Sequence, residues 1–181
     1  MLLQKFRPKI LPASFFDPPT LRVAQKLLGK FLVRRIGKKE FSAMIIEVEA
    51  YVGPDDKASH ASRGKTDRTK VMFGKPGQWY VYMVYGMYYC LNIVTEKEHY
   101  PAAILIRSVE GVSGPGRVCR HFKIDKQLNA KPVNKKTCLW IENRGVKINP
   151  RRIRRGKRIG VDYAGKWKHK PWRFWIDESR G

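Results

Sequence analysis

The chain has 181 residues with a 43% hydrophobic fraction, 8 Phe, 8 Tyr and 5 Trp, which is enough apolar and aromatic material for one packed domain and excludes a disordered basic tail protein. Its 38 Lys/Arg against 15 Asp/Glu give a formal charge of +23, so a polyanionic partner is expected, and on charge alone DNA and RNA stay equally open. The charge is spread along the chain, because residues 1–90 carry 16 cations and 7 acids while residues 91–181 carry 22 and 8.

No apolar run reaches the roughly 18 residues of a membrane span, and the charged start MLLQKFRPKILP does not read as a signal peptide. Three cysteines, Cys90, Cys119 and Cys138, are odd in number and lack a CxxC pair, which predicts buried free thiols in a reducing, intracellular compartment. The expected location is therefore the cytoplasm, beside the nucleoid, in a bacterium, or the nucleus in a eukaryote. Residues 1–10 are expected to form a flexible arm on a single domain spanning 1–181.

In chain order, Asp17 is the candidate cap of a helix, with Pro18 in its first turn, Leu21, Ala24, Leu27 and Leu28 on its apolar face, and Gly29 as its stop. Residues 30–36 read as a strand, Gly37-Lys38-Lys39 as a turn, and residues 40–51 as a long alternating strand. Alternation places Met44, Ile46, Val48 and Ala50 on one face, and Ile45, Glu47, Glu49 and Tyr51 on the other. Residues 52–78 form a long polar loop punctuated by Gly and Pro, a feature more often functional than decorative. Strands are predicted over 79–84 and 88–95, joined at Tyr85-Gly86-Met87, and over 102–107. A short helix opens at Gly114-Pro115-Gly116 and runs to Phe122, and short strands follow near 139–141, 159–161 and 171–176. Strands outnumber helices and are joined mostly by hairpins, so the expected class is α+β with a curved antiparallel sheet flanked by helices.

The four histidines, His60, His99, His121 and His169, are scattered and never at metal-ligand spacing with cysteines, so no metal and no cofactor is expected. Glu47 and Glu49 lie two apart on one strand. That is either a solvated outer face, or acids held in a cleft near Arg107, where one could activate water. Tyr80, Tyr82, Tyr85, Tyr88 and Tyr89 crowd around Gly86. They are either core-filling strand residues, or a stacking pocket with a ring projecting from the turn as a wedge between bases. Residues 147–158 (KINPRRIRRGKR) hold seven cations and no acid, making Arg151, Arg152, Arg154 and Arg155 candidate DNA-backbone contacts, or else a solvated loop.

Five blocks, EVEAYVGPDDKASHAS, MFGKPGQWYVYMVYGMYYCLNIV, AAILIRSVEG, GPGRVCR and RIGVDYAGKWKHKPWRFW, resemble in order and spacing the alkyladenine (3-methyladenine) DNA glycosylase family. The likeness runs from Leu11 to Trp175, and it is not carried by residues 96–101 or 123–136. The resemblance implies an enzyme that flips a damaged purine out of duplex DNA and hydrolyses its N-glycosidic bond. Glu49 falls on the general base, Arg107 on a residue that holds the attacking water, and Ile159 on a main-chain carbonyl contact to that water. Tyr51 and His60 fall on one wall of the base pocket, with the His60 main-chain N–H as a base contact, and Tyr82 falls on the other wall. Asn92 falls on the residue that disfavours the exocyclic amine of guanine. Tyr85 falls on the ring that fills the gap, with Met87 and Tyr88 beside it in the minor groove.

A monomer acting on double-stranded DNA is expected. Cationic 3- or 7-methylpurines are expected as substrates, since an aromatic box suits a cation, and the sequence names no acid to protonate a neutral leaving group such as hypoxanthine. Two other readings remain. One is a bifunctional enzyme with a nucleophilic lysine, against which no lysine falls inside the apolar pocket blocks. The other is a non-enzymatic basic module that binds RNA or ribosomes.

Overall fold

The computed structural model describes residues 7–177. Its centre is an antiparallel sheet with the strand order β1-β8-β2-β3-β6-β5-β4, formed by β1 (Lys9–Ile10), β8 (Leu139–Asn143), β2 (Phe31–Ile36), β3 (Lys39–Val52), β6 (Ala102–Val109), β5 (Tyr88–Val94) and β4 (Trp79–Val84). The short β7 (Val112–Ser113) extends β6, while β10 (Arg173–Ile176) pairs with β3 and also with β9 (Ile153–Gly156). Two α-helices, α1 (Thr20–Leu27) and α2 (Pro115–His121), pack on the sheet through Val23, Ala24, Leu27, Val118 and Cys119. The expected α+β class is borne out.

β3 organises the molecule. Its first half pairs with β2, and from Ile45 onward it pairs with β6, with β10 joining opposite residues 47–49. The register against β6 slips on either side of Glu47. Such a bulge bends a strand and re-aims its side chains. The expected two-face split of β3 is corrected here: Ile45 lies in the core with Val48 and Ala50 rather than beside Glu47 and Glu49. Strict alternation holds only where no residue is inserted.

Three more expectations are corrected. Helix α1 begins at Thr20, not after Asp17, which instead ends the 3₁₀ turn Ala13–Phe16. The cap comes from 76 residues away: the Glu96 carboxylate accepts both the Thr20 N–H at 2.9 Å and the Thr20 hydroxyl at 2.6 Å. No strand forms at 159–161. The Ile159 N–H bonds to a carboxylate instead of a neighbouring strand, and Gly160 adopts a φ of +73° that leaves extended geometry; the strand in this region is β9. Cys90 and Cys119 are buried thiols, but Cys138 is only half-buried. Of the arm expected over 1–10, residues 1–6 lie outside the described residues, and Lys9 and Ile10 pair with Asn143 and Glu142.

The loop between β3 and β4 carries two 3₁₀ turns, His60–Arg63 and Lys70–Phe73, and no strand. It is anchored by Asp56, which accepts the N–H of Val52 and of Ala58 at 3.1 Å each. Among the described residues no helix is long and apolar enough to cross a membrane, and no group of three or more His, Cys, Asp or Glu is placed to hold a metal ion.

Candidate active site

β3, the loop after it, the β4–β5 hairpin, β6 and the segment after β9 converge on one cavity of about 440 Å³, lined by Glu49, Tyr51, His60, Arg68, Tyr80, Tyr82, Tyr85, Asn92, Arg107 and Ile159 among others. The size is that of a pocket for a small ligand. Nine of these ten residues, all but Arg68, were singled out from the sequence, and they meet at one place.

Glu49 sits at its base, wholly shielded from bulk solvent. Its Oε2 accepts the Tyr51 hydroxyl at 2.9 Å, and its Oε1 accepts the Ile159 N–H at 2.9 Å, with Arg107 Nη1 3.5 Å from the same oxygen. Each carboxylate oxygen offers two lone pairs, so Oε2 keeps capacity for one more donor such as a water. Burial raises the Glu49 pKa. Arg107, the Ile159 N–H and the Tyr51 hydroxyl oppose that rise, Glu47 adds repulsion, and the net displacement is upward from the ordinary 4.5. A carboxylate poised in this way is a proton acceptor of adjusted strength.

Glu47 is not a solvated bystander. Arg107 Nε lies 3.3 Å from its Oε1, Arg173 Nη1 donates to the same oxygen at 2.9 Å, and the Ser108 hydroxyl donates to Oε2 at 2.6 Å. Arg107 thus bridges both acids, as its placement near them in sequence reasoning required. At Ile159, expected for its main-chain carbonyl, the N–H donates to Glu49, and the residue is 48% exposed.

The walls are aromatic. His60 Nδ1 lies 3.0 Å from the Tyr80 hydroxyl, and the His60 ring meets Tyr82 edge-on at 4.6 Å. Burial, helped by Arg68 and Arg63, lowers the His60 pKa to about 4, so the ring is neutral at physiological pH. Burial raises Tyr80 to about 12, and Tyr51 and Tyr82 stand well above their ordinary value. The Asn92 amide nitrogen donates to the Tyr80 and Cys90 carbonyls at 3.1 and 3.4 Å, which pins the side chain in the cavity wall.

The β4–β5 hairpin projects beyond the walls. Tyr85, at φ +52°, is 87% exposed at the tip beside Gly86 at φ +66°, and Met87 is 68% exposed. A protruding apolar ring that buries almost nothing in the free protein is unusual among large side chains. Tyr88 is exposed next to it. Among the residues of the basic stretch, Arg151 and Arg155 are exposed, while Arg152 and Arg154 reach the Asp177 main chain and carboxylate.

Arg158 belongs to that stretch by sequence but is fully buried on Asp56. This pair was missed from the sequence. Nothing local links Asp56 in a Gly/Pro loop to a cation 102 positions away. Arg68 was also missed, hidden among the many surface cations.

A shielded carboxylate held by an arginine lies in an aromatic cavity of a strongly cationic α+β domain, an arrangement chemically suited to activating a water molecule. The sequence profile of the methylpurine-DNA glycosylase family matches residues 14–113 and 110–180. A protein of Methanocella arvoryzae is 45% identical over 190 aligned positions, covering 94% of each chain. Relatives from the Wolbachia of Brugia malayi and from Myxococcus xanthus are 46% and 41% identical, covering 93% and 94% of this chain and 98% and 91% of their own. All three carry the name "Putative 3-methyladenine DNA glycosylase". The chain belongs to the methylpurine-DNA glycosylase family, as its sequence blocks led one to expect, and it is an enzyme of DNA repair that hydrolyses N-glycosidic bonds.

Proposed function

We propose that the protein is a monofunctional 3-methyladenine DNA glycosylase of base excision repair. It turns alkylated purines such as 3-methyladenine and 7-methylguanine out of the duplex, and leaves an abasic site. The observation that carries this reading is the shielded Glu49 carboxylate, held on three sides and with one acceptor position left at Oε2.

In this reading Glu49 takes a proton from a bound water as the water oxygen attacks C1′ of the flipped nucleotide. The bond from C1′ to N9 breaks, and the electron pair leaves with the purine. Arg107 keeps Glu49 ionised despite burial and offers N–H donors beside the water. The Ile159 N–H is engaged by Glu49, which leaves the carbonyl of that residue available to the water. Tyr51, His60 and Tyr82 enclose the base, with Asn92 narrowing the pocket.

Tyr85 fills the vacated stack, with Met87 and Tyr88 in the minor groove. Unstacking costs a few kcal/mol, which an inserted ring helps to offset. The +23 charge supplies affinity for the phosphate backbone, with Arg151 and Arg155 among the exposed cations. No lysine is among those lining the cavity, which supports water, rather than an amine, as nucleophile.

The test is incubation with a duplex holding a single 7-methylguanine. Free base and an alkali-labile site should form, with no strand scission and no borohydride-trapped adduct. Tight duplex binding without base release would contradict the reading and favour a basic binding module.

A further inference from the structure

The charges of the cavity are unevenly compensated. Glu47 and Glu49 are met by Arg107 and Arg173 at 2.9–3.5 Å. Arg68 lines the same cavity, and no carboxylate pairs with it among the described residues. Its neighbour Asp67 is engaged by Lys70 at 3.2 Å. The Arg68 guanidinium stands 5.0 Å from the centroid of the Tyr82 ring and donates to the Met83 carbonyl at 3.4 Å. It also interacts with the Tyr80 hydroxyl, and of the five N–H donors of a planar guanidinium some remain for a ligand. The aromatic wall therefore carries, at its solvent-exposed edge, a permanent positive charge that no carboxylate partners among the described residues.

Two kinds of damaged purine make opposite demands on that wall. A purine nucleotide methylated at N3 or N7 is already a cation, and its base departs neutral. A neutral purine such as hypoxanthine departs as an anion once the C1′–N9 bond breaks, unless an acid protonates it. The wall offers no acid of suitable strength. His60, at about 4, is already deprotonated at neutral pH, and the Tyr80 hydroxyl, at about 12, holds its proton. Arginine never gives its proton up, but it can stabilise negative charge where that charge develops.

We propose that Arg68 is the specificity-determining residue of the site: its guanidinium hydrogen-bonds the departing purine anion and so extends excision to neutral lesions, at the expense of cationic ones. This rests on the glycosylase reading above. In the step, a water proton passes to Glu49, the water oxygen bonds C1′, and the C1′–N9 pair stays on the purine, held by Arg68. The anion takes a proton from solvent on release, and Glu49 returns its own to solvent. With a cationic substrate no anion forms, and Arg68 only repels the bound base.

The test compares single-turnover excision of hypoxanthine and of 7-methylguanine, each in the same duplex, by the wild type, R68Q and R68K. R68Q should lose about tenfold or more on hypoxanthine, while its rate on 7-methylguanine holds or rises. R68K, which keeps the charge but not the planar fork, should fall between. Equal loss on both substrates would overturn the proposal in favour of a phosphate contact or a structural role, and so would unchanged rates on both. Wild-type release of 7-methylguanine without hypoxanthine would overturn it as well, leaving the glycosylase reading intact. Wild-type release of neither base would strike that underlying reading first.

Discussion

Asp56 and Arg158 close a bidentate ion pair in which neither side chain touches solvent, with Arg158 Nη2 at 2.8 Å from Asp56 Oδ1. The same guanidinium donates to the Ala50 carbonyl at 2.9 Å and stands over the rings of Tyr51 and Trp172. The next residue, Ile159, holds Glu49. One buried pair thus ties the strand that carries Glu49, the loop that carries His60 and the segment that caps the carboxylate.

R158A strands a buried carboxylate, and the expected cost is about 3–5 kcal/mol of stability. Urea denaturation of wild type and variant measures it through the shift in midpoint. A change below about 1 kcal/mol, the range of exposed ion pairs, would contradict the structural role assigned to the pair.

The pH dependence of excision follows from the upward displacement of Glu49. The base works only when ionised, so the single-turnover rate on 7-methylguanine should fall as pH falls through a pKa above the ordinary 4.5. An acid limb centred below 4.5 would contradict the burial that dominates this group.

The same displacement makes a stability prediction. A carboxyl whose folded pKa is raised stabilises the fold only while protonated. That contribution is complete below the unfolded pKa and is lost as pH rises through the folded one. At pH 7 the ionised Glu49 is therefore a net strain on the fold, and E49Q should melt no lower than the wild type while losing activity. Calorimetric melts of the two proteins at pH 7 decide it.

His60 has the opposite sign. Its folded pKa of about 4 lies below the ordinary 6.5, so the unfolded chain binds the proton more readily between those values. The stability associated with His60 is complete above about pH 6.5 and declines as pH falls toward 4. Melting temperatures across that window should drop less steeply in H60Q than in the wild type.

Tyr85 offers a separation of binding from flipping. The ring is 87% exposed, so Y85S should leave folding and general duplex affinity nearly unchanged. Excision should weaken for well-paired lesions and be spared for mismatched ones, which leave the stack more cheaply. Parallel loss on both would assign the ring to binding alone.

Much of this was legible in the sequence, for identifiable reasons. The hairpin at Tyr85-Gly86-Met87 and the strands around it follow from alternating aromatic runs that meet at a glycine. The grouping of Glu49 and Tyr51 follows from the two-residue period downstream of the bulge, which flanks Glu47 on both sides. What lay beyond reach is non-local. The bulge that carries Ile45 into the core depends on pairing with β6, and the cap of α1 is a carboxylate 76 residues away. Arg158 and Arg68 read as two more cations in a chain of 38, until the fold buries one on Asp56 and sets the other over Tyr82.

The most direct test of the account compares wild type and E49Q on a duplex carrying a single 7-methylguanine, following free base and duplex affinity in parallel. The wild type should release the base, and E49Q should not, while both bind the duplex alike, because affinity comes from phosphate contacts and chemistry from the carboxylate. Near-wild-type release by E49Q would contradict the assignment of Glu49 as the base that activates water.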